Sequence, residues 1–400
     1  MDINALRKDF QFLKDGKWIY FDNACQSLRP RQVVEAVTRY YNETPVCAGR
    51  SNYRLAVELQ DKLNSVRQRV AKFIGAKRES EIVFTRNTTE GINLVANSFA
   101  LSEGDSILLS DKEHNSNIVP WLLLAKTKKI KVEIVNTNPD NTWNWESFEK
   151  KLNSKVKLVS LGMISNLDGV TIPFKEIIAR THKIGVKVLL DGAQWVGHHK
   201  TDVAKWNVDF LVFSGHKILG PSGTGVLYGK ESELNKLSPY QIGGNTVADT
   251  SYEDFEILGI PDRFEAGLRD YAGILGLGEA IKYLESVGWD NIEQQEEKVT
   301  AIIMEGISKI SGIEMIGPKN ISQNSGIVSF YHPKAESHQI SIILDQVANI
   351  MIRSGRHYVH SWFNARGIKD SVRISSAFYN TSDEAKKLVS ELQKIIGVFT

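Results

Sequence analysis

Residues 208–229 read VDFLVFSGHKILGPSGTGVLYG, and this stretch decides the fold. Its apolar run at 210–213 is typical of a strand that is buried on both faces of a parallel sheet. The run leads directly to Ser214, and Lys217 follows at the start of a glycine-rich loop. Open α/β sheets bind ligands beyond the carboxyl ends of their strands. The stretch therefore predicts a strand that delivers Lys217 to a binding site, with an ordinary surface lysine as the alternative.

Similar short apolar runs recur along the chain and alternate with helical patterns. The runs lie at 82–84, 107–109, 132–135, 158–161, 186–190, 210–213 and 225–228. Helical patterns lie between them, for example at 115–126, 145–152 and 174–184, and a longer amphipathic one precedes them at 55–73. This order predicts an α/β fold with a mostly parallel sheet of seven strands.

The pattern changes after about residue 265. Two long helical patterns, 271–286 and 290–310, are followed by single strands near 326–331, 350–353 and 371–375 and by helical stretches at 338–346 and 382–396. This less regular order is typical of an α+β unit. We predict a large domain at 15–265 and a smaller domain formed by 1–14 and 266–400.

The composition excludes several classes of protein. The chain has 400 residues, of which 42% are hydrophobic and 24% charged, as expected for a globular protein. Its 49 basic and 47 acidic residues leave a net charge of +2, which favours neither nucleic acid nor a membrane as a partner. Two cysteines exclude a disulfide framework and a cysteine-rich metal site. No apolar run spans a bilayer, and residues 1–22 do not resemble a secretory signal, so we expect a cytoplasmic protein without a metal.

Asp191 ends an apolar strand in VLLDGAQWVGHH, residues 188–199. A carboxylate is costly to bury unless a cation or hydrogen-bond donors meet it. The protonated ring nitrogen of pyridoxal phosphate is such a cation, and enzymes that use this cofactor bind its aldehyde through a lysine. A solvated strand end or a helix cap is the alternative for Asp191. Because Asp191 and Lys217 each follow a strand, a sheet can bring both to one edge.

Other polar residues also follow predicted strands. Thr88 and Thr89 lie in the first turn of a helix, where free N–H groups and the helix dipole favour an anion, although a plain helix cap is the alternative. His114 could stack on a planar ring, and Asn166 and Gln194 could donate hydrogen bonds to one. The usual nucleotide-binding loops are absent from the sequence.

Together these residues carry a family resemblance that extends over nearly the whole chain. The matching segments are YFDNA (20–24), FTRNTTEGINLVA (84–96), EHNSNIVPW (113–121), SNLDG (165–169), DGAQ (191–194), the stretch at 208–229, RFEAG (263–267), IRSGRH (352–357) and YNT (379–381). The chain resembles the class V branch of the fold-type I pyridoxal-phosphate enzymes, and most closely the group II cysteine desulfurases. This resemblance implies pyridoxal 5'-phosphate as cofactor and a large domain followed by a small α+β domain.

The resemblance also implies a role for each site residue. Lys217 is similar to the lysine that binds the cofactor covalently, Asp191 to the partner of the ring nitrogen and His114 to the ring-stacking histidine. The other residues implied to bind the cofactor are Thr88, Thr89, Asn166, Gln194, Ser214 and His216.

Three arginines match residues on the substrate side. Arg373 resembles the arginine that holds the substrate carboxylate, for which the bidentate geometry of arginine is well suited. Arg353 matches a second arginine of the active site. Arg50 resembles an arginine supplied by the partner subunit, which implies a homodimer. A surface ion pair is the alternative for each arginine.

Two positions depart from the family pattern. Where these desulfurases carry the cysteine that takes up sulfur, this chain has Tyr358. A phenol with a pKa of about 10 cannot store a persulfide. Where the family has a threonine after the FEAG motif, this chain has Leu268. Cys25 and Cys47 are the available thiols, and each is either a substitute for the missing cysteine or a small packed residue.

Three functions follow from these features. The first is a cysteine desulfurase that acts on L-cysteine and supplies sulfur to iron–sulfur cluster or thio-cofactor assembly through an acceptor protein. The second is another reaction of the same family: an aminotransferase, a β-lyase, a selenocysteine lyase or an epimerase. The third is a scaffold that retains the cofactor without desulfurase activity.

Overall fold

The computed structural model describes residues 1–49 and 51–399. The helices are α1 (Ile3–Arg7), α2 (Arg31–Glu43), α3 (Arg54–Phe73), α4 (Thr88–Ser98), α5 (Asn115–Lys128), α6 (Trp145–Lys151), α7 (Phe174–His182), α8 (Val203–Trp206), α9 (Glu231–Leu234), α10 (Tyr271–Val287), α11 (Trp289–Ser308), α12 (Ser337–Ala348), α13 (His360–Arg366) and α14 (Ser382–Ile396). The strands are β1 (Ile19–Tyr20), β2 (Ile82–Thr85), β3 (Ser106–Ser110), β4 (Lys131–Val135), β5 (Val156–Gly162), β6 (Lys187–Asp191), β7 (Phe210–Ser214), β8 (Gly225–Gly229), β9 (Val247–Thr250), β10 (Phe255–Ile257), β11 (Glu314–Ile316), β12 (Ile327–Tyr331), β13 (Ile350–Met351), β14 (Arg353–Gly355) and β15 (Ser371–Ser375).

The larger sheet has seven strands in the order β2-β8-β7-β6-β5-β3-β4. Strands β3 to β7 pair in parallel, whereas β8 is antiparallel to both of its neighbours. Successive residues of one strand contribute to different cores: Leu189 packs in one, and Val188 and Leu190 pack in the other. Burial on both faces explains why these strands are nearly continuous apolar runs. The predicted α/β fold with a mostly parallel sheet is confirmed.

A second, antiparallel sheet has the order β11-β12-β15-β14 and is covered by α11, α12 and α14. It has a separate apolar core. The prediction of a single strand at 350–353 is wrong. The chain forms two short strands there, β13, which pairs with β1, and β14, which pairs with β15. Ile352 lies between them, where the chain passes from one pairing to the other. Helix α10 packs against α2 and α3. The division into domains at 15–265, 1–14 and 266–400 stays a prediction.

A buried ion pair connects α3 to the segment that follows the larger sheet. Glu265 binds Arg67 at 2.7 Å through one carboxylate oxygen, and that oxygen also accepts the N–H of Phe84 at 2.7 Å. Burial alone would raise the pKa of Glu265, but the charge of Arg67 outweighs it and holds that pKa below its ordinary value of 4.5. The pair is therefore complete at neutral pH.

Glu265→Gln should lower the free energy of unfolding by about 3 kcal/mol or more, because it leaves the buried Arg67 charge without its partner. The matched control is Glu285→Gln, which breaks an exposed ion pair with Arg69 and should cost less than about 1 kcal/mol. Urea unfolding at several pH values measures both. The difference between the wild type and Glu265→Gln should shrink as the pH falls through the lowered pKa of Glu265. Equal costs for the two variants would contradict the role of the buried pair.

Candidate functional site

A cavity of about 280 Å³ opens at the carboxyl edge of the larger sheet. Thirteen of the candidate site residues line it: Cys25, Thr88, Thr89, His114, Asn166, Asp191, Gln194, Ser214, His216, Lys217, Arg353, Tyr358 and Arg373. Arg50 lies outside the described residues. Cys47 is exposed and does not line the cavity. The structure thus brings these thirteen side chains together, while their individual roles stay predictions.

Lys217 and Asp191 reach the cavity from adjacent strands. Asp191 ends β6, opposite Val212 of β7, and Lys217 lies in the short turn that follows β7. Burial lowers the pKa of Lys217; Asp191 partly offsets this effect, and Arg373 adds to it. A lowered pKa leaves more of the amine uncharged, which is the form that attacks an aldehyde and accepts a proton.

The carboxylate of Asp191 is buried and incompletely partnered. Its Oδ1 accepts the N–H of Ala193 at 2.9 Å. Within residues 1–49 and 51–399, no cationic side chain forms an ion pair with it. Burial raises the pKa of Asp191, and Lys217 lowers it only in part. A cationic nitrogen from a bound ligand would complete this site.

Hydroxyl groups cluster where α4 begins. Ser214 Oγ accepts the N–H of Thr88 at 2.8 Å and lies 2.7 Å from Thr88 Oγ1. Thr89 Oγ1 lies 2.8 Å from Ser116 Oγ, at the start of α5. His216 adds a ring whose pKa is lowered to about 4 by burial and by Lys217. Two helix starts and these hydroxyls supply donors of the kind that hold a phosphate group.

His114 faces the cavity as a neutral ring. It caps α5, and its Nδ1 accepts the N–H of Ser116 at 3.1 Å. Burial, Lys217 and Arg373 lower the pKa of His114 to about 3, so the ring carries no charge near neutral pH. A neutral imidazole can stack on an aromatic ring of a ligand without repelling the cationic groups nearby.

Two arginines lie side by side on the small sheet. Arg353 of β14 is directly opposite Arg373 of β15 in register. Arg373 donates to the carbonyl of Asn166 at 3.0 Å and to Asp22 Oδ1 at 3.2 Å, and Arg353 donates to Asp22 Oδ2 at 3.4 Å. One carboxylate thus orients two guanidinium groups and leaves an excess positive charge, which favours an anionic ligand.

The cysteine and two amides of the site have defined partners. Arg353 Nη1 donates to Cys25 Sγ at 2.9 Å. Gln194 Nε2 donates to the carbonyl of Ala24 at 2.8 Å. Asn166 Nδ2 donates to the carbonyl of His357 at 2.7 Å. The structure therefore places Asn166 and Gln194 as residues that hold neighbouring loops in position.

Tyr358 lies at the mouth of the cavity. Its side chain is 54% exposed, and its ring centre is 5.4 Å from that of His114. Its carbonyl accepts the N–H of Asn115 at 2.7 Å. His357 and Tyr358 have φ values of 50° and 59°, which are unfavourable for residues with side chains. The loop therefore has a specific, strained conformation that presents the phenol to solvent.

The sequence reasoning missed three residues of the site. Asp22 orients Arg353 and Arg373. It was not assigned a role, although it lies in the quoted segment YFDNA. Glu113 accepts hydrogen bonds from Ser110 at 2.6 Å and from Asn117 at 2.7 Å. Burial raises its pKa to about 7. His357 lies against Ser371 at 2.9 Å. Glu113 directly precedes His114, and its position after a strand was the signal that could have identified it.

The described residues contain neither a metal cluster nor a spanning helix. No group of three or more histidine, cysteine or acidic side chains among them is placed to hold a metal ion. None of their helices has the length and apolar character needed to cross a membrane.

Comparisons with known proteins identify similar chains. The family model described as aminotransferase class-V matches residues 19–388. Proteins named cysteine desulfurase from Shigella sonnei (strain Ss046) and Escherichia coli (strain K12 / DH10B) are 36% identical to this chain over 401 residues, covering 98% of it and 98% of each relative.

Two solved structures are similar over the full length. The apo structure of a cysteine desulfurase from Thermococcus onnurineus NA1 has a TM-score of 0.95 at 35% identity, covering 99% of this chain and 98% of that one. A cysteine desulfurase from Escherichia coli has a TM-score of 0.92 at 29% identity, covering all of both chains.

Proposed function

Because the chain belongs to the class-V aminotransferase family, we propose that it is a pyridoxal-phosphate enzyme that removes sulfur from L-cysteine. The observation that carries this proposal is the convergence of Lys217, Asp191, His114 and Arg373 on one cavity. We further propose that the sulfur passes to an acceptor protein for iron–sulfur cluster or thio-cofactor assembly. The cytoplasmic location stays a prediction.

Pyridoxal 5'-phosphate is the cofactor of this chain, and the residues of the cavity fit it. Lys217 supplies the amine for its aldehyde, and the buried carboxylate of Asp191 suits its cationic ring nitrogen. The hydroxyls of Thr88, Thr89 and Ser214, together with His216, suit its phosphate. When bound, the cofactor withdraws electrons from the amino group and α-carbon of the substrate.

The protein side chains bind the substrate and move its protons. Arg373 binds the α-carboxylate of the substrate, and Asp22 keeps the guanidinium in the required orientation. Lys217 takes the proton from the α-carbon and returns it later, because its lowered pKa leaves more of the amine in the uncharged form that accepts a proton. His114 would hold the cofactor ring by stacking. Arg353 and Cys25 line the same cavity and are hydrogen-bonded to each other.

The test of this proposal is to add L-cysteine to the holoenzyme. The visible absorption of the cofactor should shift, and alanine and sulfur should form in equal amounts when a reductant releases the sulfur as sulfide. L-Alanine, as a control, should shift the spectrum without releasing sulfide. An unchanged spectrum with L-cysteine would reject the proposed substrate.

A β-lyase reaction is a second candidate, favoured by Tyr358 at the position of the usual nucleophile. Elimination of sulfide from L-cysteine requires no thiol from the protein, and it produces pyruvate and ammonia instead of alanine. Measurement of pyruvate and alanine in the same reaction distinguishes the two functions. We expect alanine to predominate.

Arg373→Gln should raise the KM for L-cysteine by about a hundredfold, because the amide cannot form the bidentate pair with a carboxylate. The visible absorption of the bound cofactor should stay unchanged, because Arg373 lies on the substrate side. Arg373→Lys keeps the charge but loses the fork of donors, so it should recover only part of the affinity. A KM unchanged in both variants would contradict this role for Arg373.

We propose a homodimer with two active sites that each include a segment of the partner. Exposed apolar side chains support it, among them Tyr252 and Phe255 of the β9–β10 hairpin and Leu268, which is 71% exposed. The resemblance of Arg50 to an arginine donated across an interface agrees with this proposal. Light scattering on the holoenzyme should give the mass of two chains, and a monomer with bound cofactor would reject the proposal.

A further inference from the structure

We propose that Cys25 is the thiol that receives sulfur from the substrate, an inference that rests on the proposed desulfurase function. A desulfurase needs a nucleophile in reach of the substrate sulfur, and the phenol of Tyr358 cannot serve. Cys25 lines the cavity together with Lys217 and Arg373, and Cys47, the other thiol of the chain, does not.

Hydrogen bonds on both sides of Cys25 hold its backbone beside Lys217. Before it, Ala24 donates its N–H to Ser375 Oγ at 2.9 Å and accepts from Gln194 at 2.8 Å. After it, Ser27 donates its N–H to the carbonyl of His216 at 2.9 Å. Because His216 directly precedes Lys217, the position of the thiol is fixed relative to the reacting amine. Such preorganisation is required of a group that reacts at one defined atom.

The surroundings of Cys25 suit a sulfur that carries negative charge during transfer. Arg353 Nη1 donates to Cys25 Sγ at 2.9 Å. Arg373 places a second guanidinium group in the same cavity. Positive groups of this kind are typical of cysteines that react as nucleophiles.

Two buried polar atoms of residues in the cavity wall lack a hydrogen-bond partner among the described residues. Arg373 Nε and His357 Nδ1 form no hydrogen bond, although Arg373 is only 3% exposed and His357 only 4%. Both residues line the cavity, and Arg373 is opposite Arg353 in register. Both atoms are shielded from solvent, and they make the cavity wall next to the arginine pair polar.

The transfer balances without an added oxidant or reductant. Cys25 Sγ attacks the sulfur of L-cysteine, and a new S–S bond forms. The bond between that sulfur and Cβ of the substrate breaks, and its electron pair stays with Cβ. Cβ takes up the proton that came from the Cys25 thiol, and the amino acid leaves as alanine. The proton of the substrate thiol remains with the persulfide on Cys25.

The experiment follows the transferred sulfur by mass spectrometry. The holoenzyme is incubated with L-cysteine, its thiols are alkylated, and its peptides are searched for one added sulfur atom. Cys47→Ala is the matched control for Cys25→Ala. We expect the added sulfur on Cys25 in the wild type and in Cys47→Ala. Alanine formation should fall by about a hundredfold or more in Cys25→Ala and change less than about twofold in Cys47→Ala.

Three results would overturn this role for Cys25: sulfur on Cys47, alanine formation without sulfur on either thiol, or full activity of Cys25→Ala. Each of them leaves cysteine as the substrate. If instead L-cysteine neither shifts the cofactor spectrum nor forms alanine in the wild type, the proposed function fails, and the role of Cys25 fails with it. If Cys25→Ala does not fold, the role of Cys25 is still tested by which cysteine carries the added sulfur in the wild type and in Cys47→Ala.

Discussion

Lys217→Ala should lack the visible absorption band of the covalently bound cofactor and should lose at least about four orders of magnitude in turnover of L-cysteine. The physical reason is that the substitution removes both the amine that holds the cofactor and the base that moves the α-proton. No other lysine replaces it, because Lys112, the other lysine of the cavity wall, is paired with Asp168 at 2.9 Å. Absorption spectra before and after borohydride reduction measure the covalent link.

Lys200→Ala is the control for this experiment, since Lys200 is exposed and is not among the residues that line the cavity. It should keep both the absorption band and the activity. If Lys217→Ala keeps the visible absorption band of the cofactor, and borohydride reduction attaches the cofactor permanently to the protein, the covalent link belongs to another lysine.

Asp191→Asn should lower the turnover of L-cysteine by about a thousandfold, because a neutral amide cannot stabilise the cationic ring nitrogen on which the electron-withdrawing power of the cofactor depends. The buried carboxylate has no cationic side chain of its own among the described residues, so its charge is available to a ligand. The affinity for the cofactor should fall as well. Both effects are measured by steady-state kinetics and by titration of the apoenzyme with the cofactor.

Asp345→Asn on the exposed face of α12 is the matched control and should change neither quantity. An Asp191→Asn protein with wild-type turnover would show that the carboxylate is not the partner of the ring nitrogen.

The position of the site was predictable because it depends on local order along the chain. Asp191 and Ser214 end strands whose apolar runs are visible in the sequence, Lys217 follows the second of them, and parallel strands bring such residues to one edge. The start of α4 at Thr88 was predictable for the same reason. The predicted strands at 186–190 and 210–213 match β6 and β7 to within one residue at each end.

Contacts between distant segments were not predictable from such patterns. The Cys25–Arg353 hydrogen bond joins residues 328 positions apart, and the bridging of two arginines by Asp22 depends on the register of β14 and β15. The division into β13 and β14 was also not predictable, because it depends on pairing with β1 and β15, which lie elsewhere in the chain. The left-handed conformation of Tyr358 is also set by its surroundings, since no glycine marks that residue.

The long separation of these contacts has a consequence for biosynthesis. Asn23, beside the proposed nucleophile, donates its side-chain N–H to the carbonyl of Ser375, which lies 352 residues later. At ribosomal rates of about 5 to 20 residues per second, the N-terminal segment waits roughly 20 to 70 s before its partner strand has been translated. Cys25 is therefore translated early, whereas residues that hold its segment in place are translated near the end of the chain. A nascent chain that stops before β15 cannot assemble this active site.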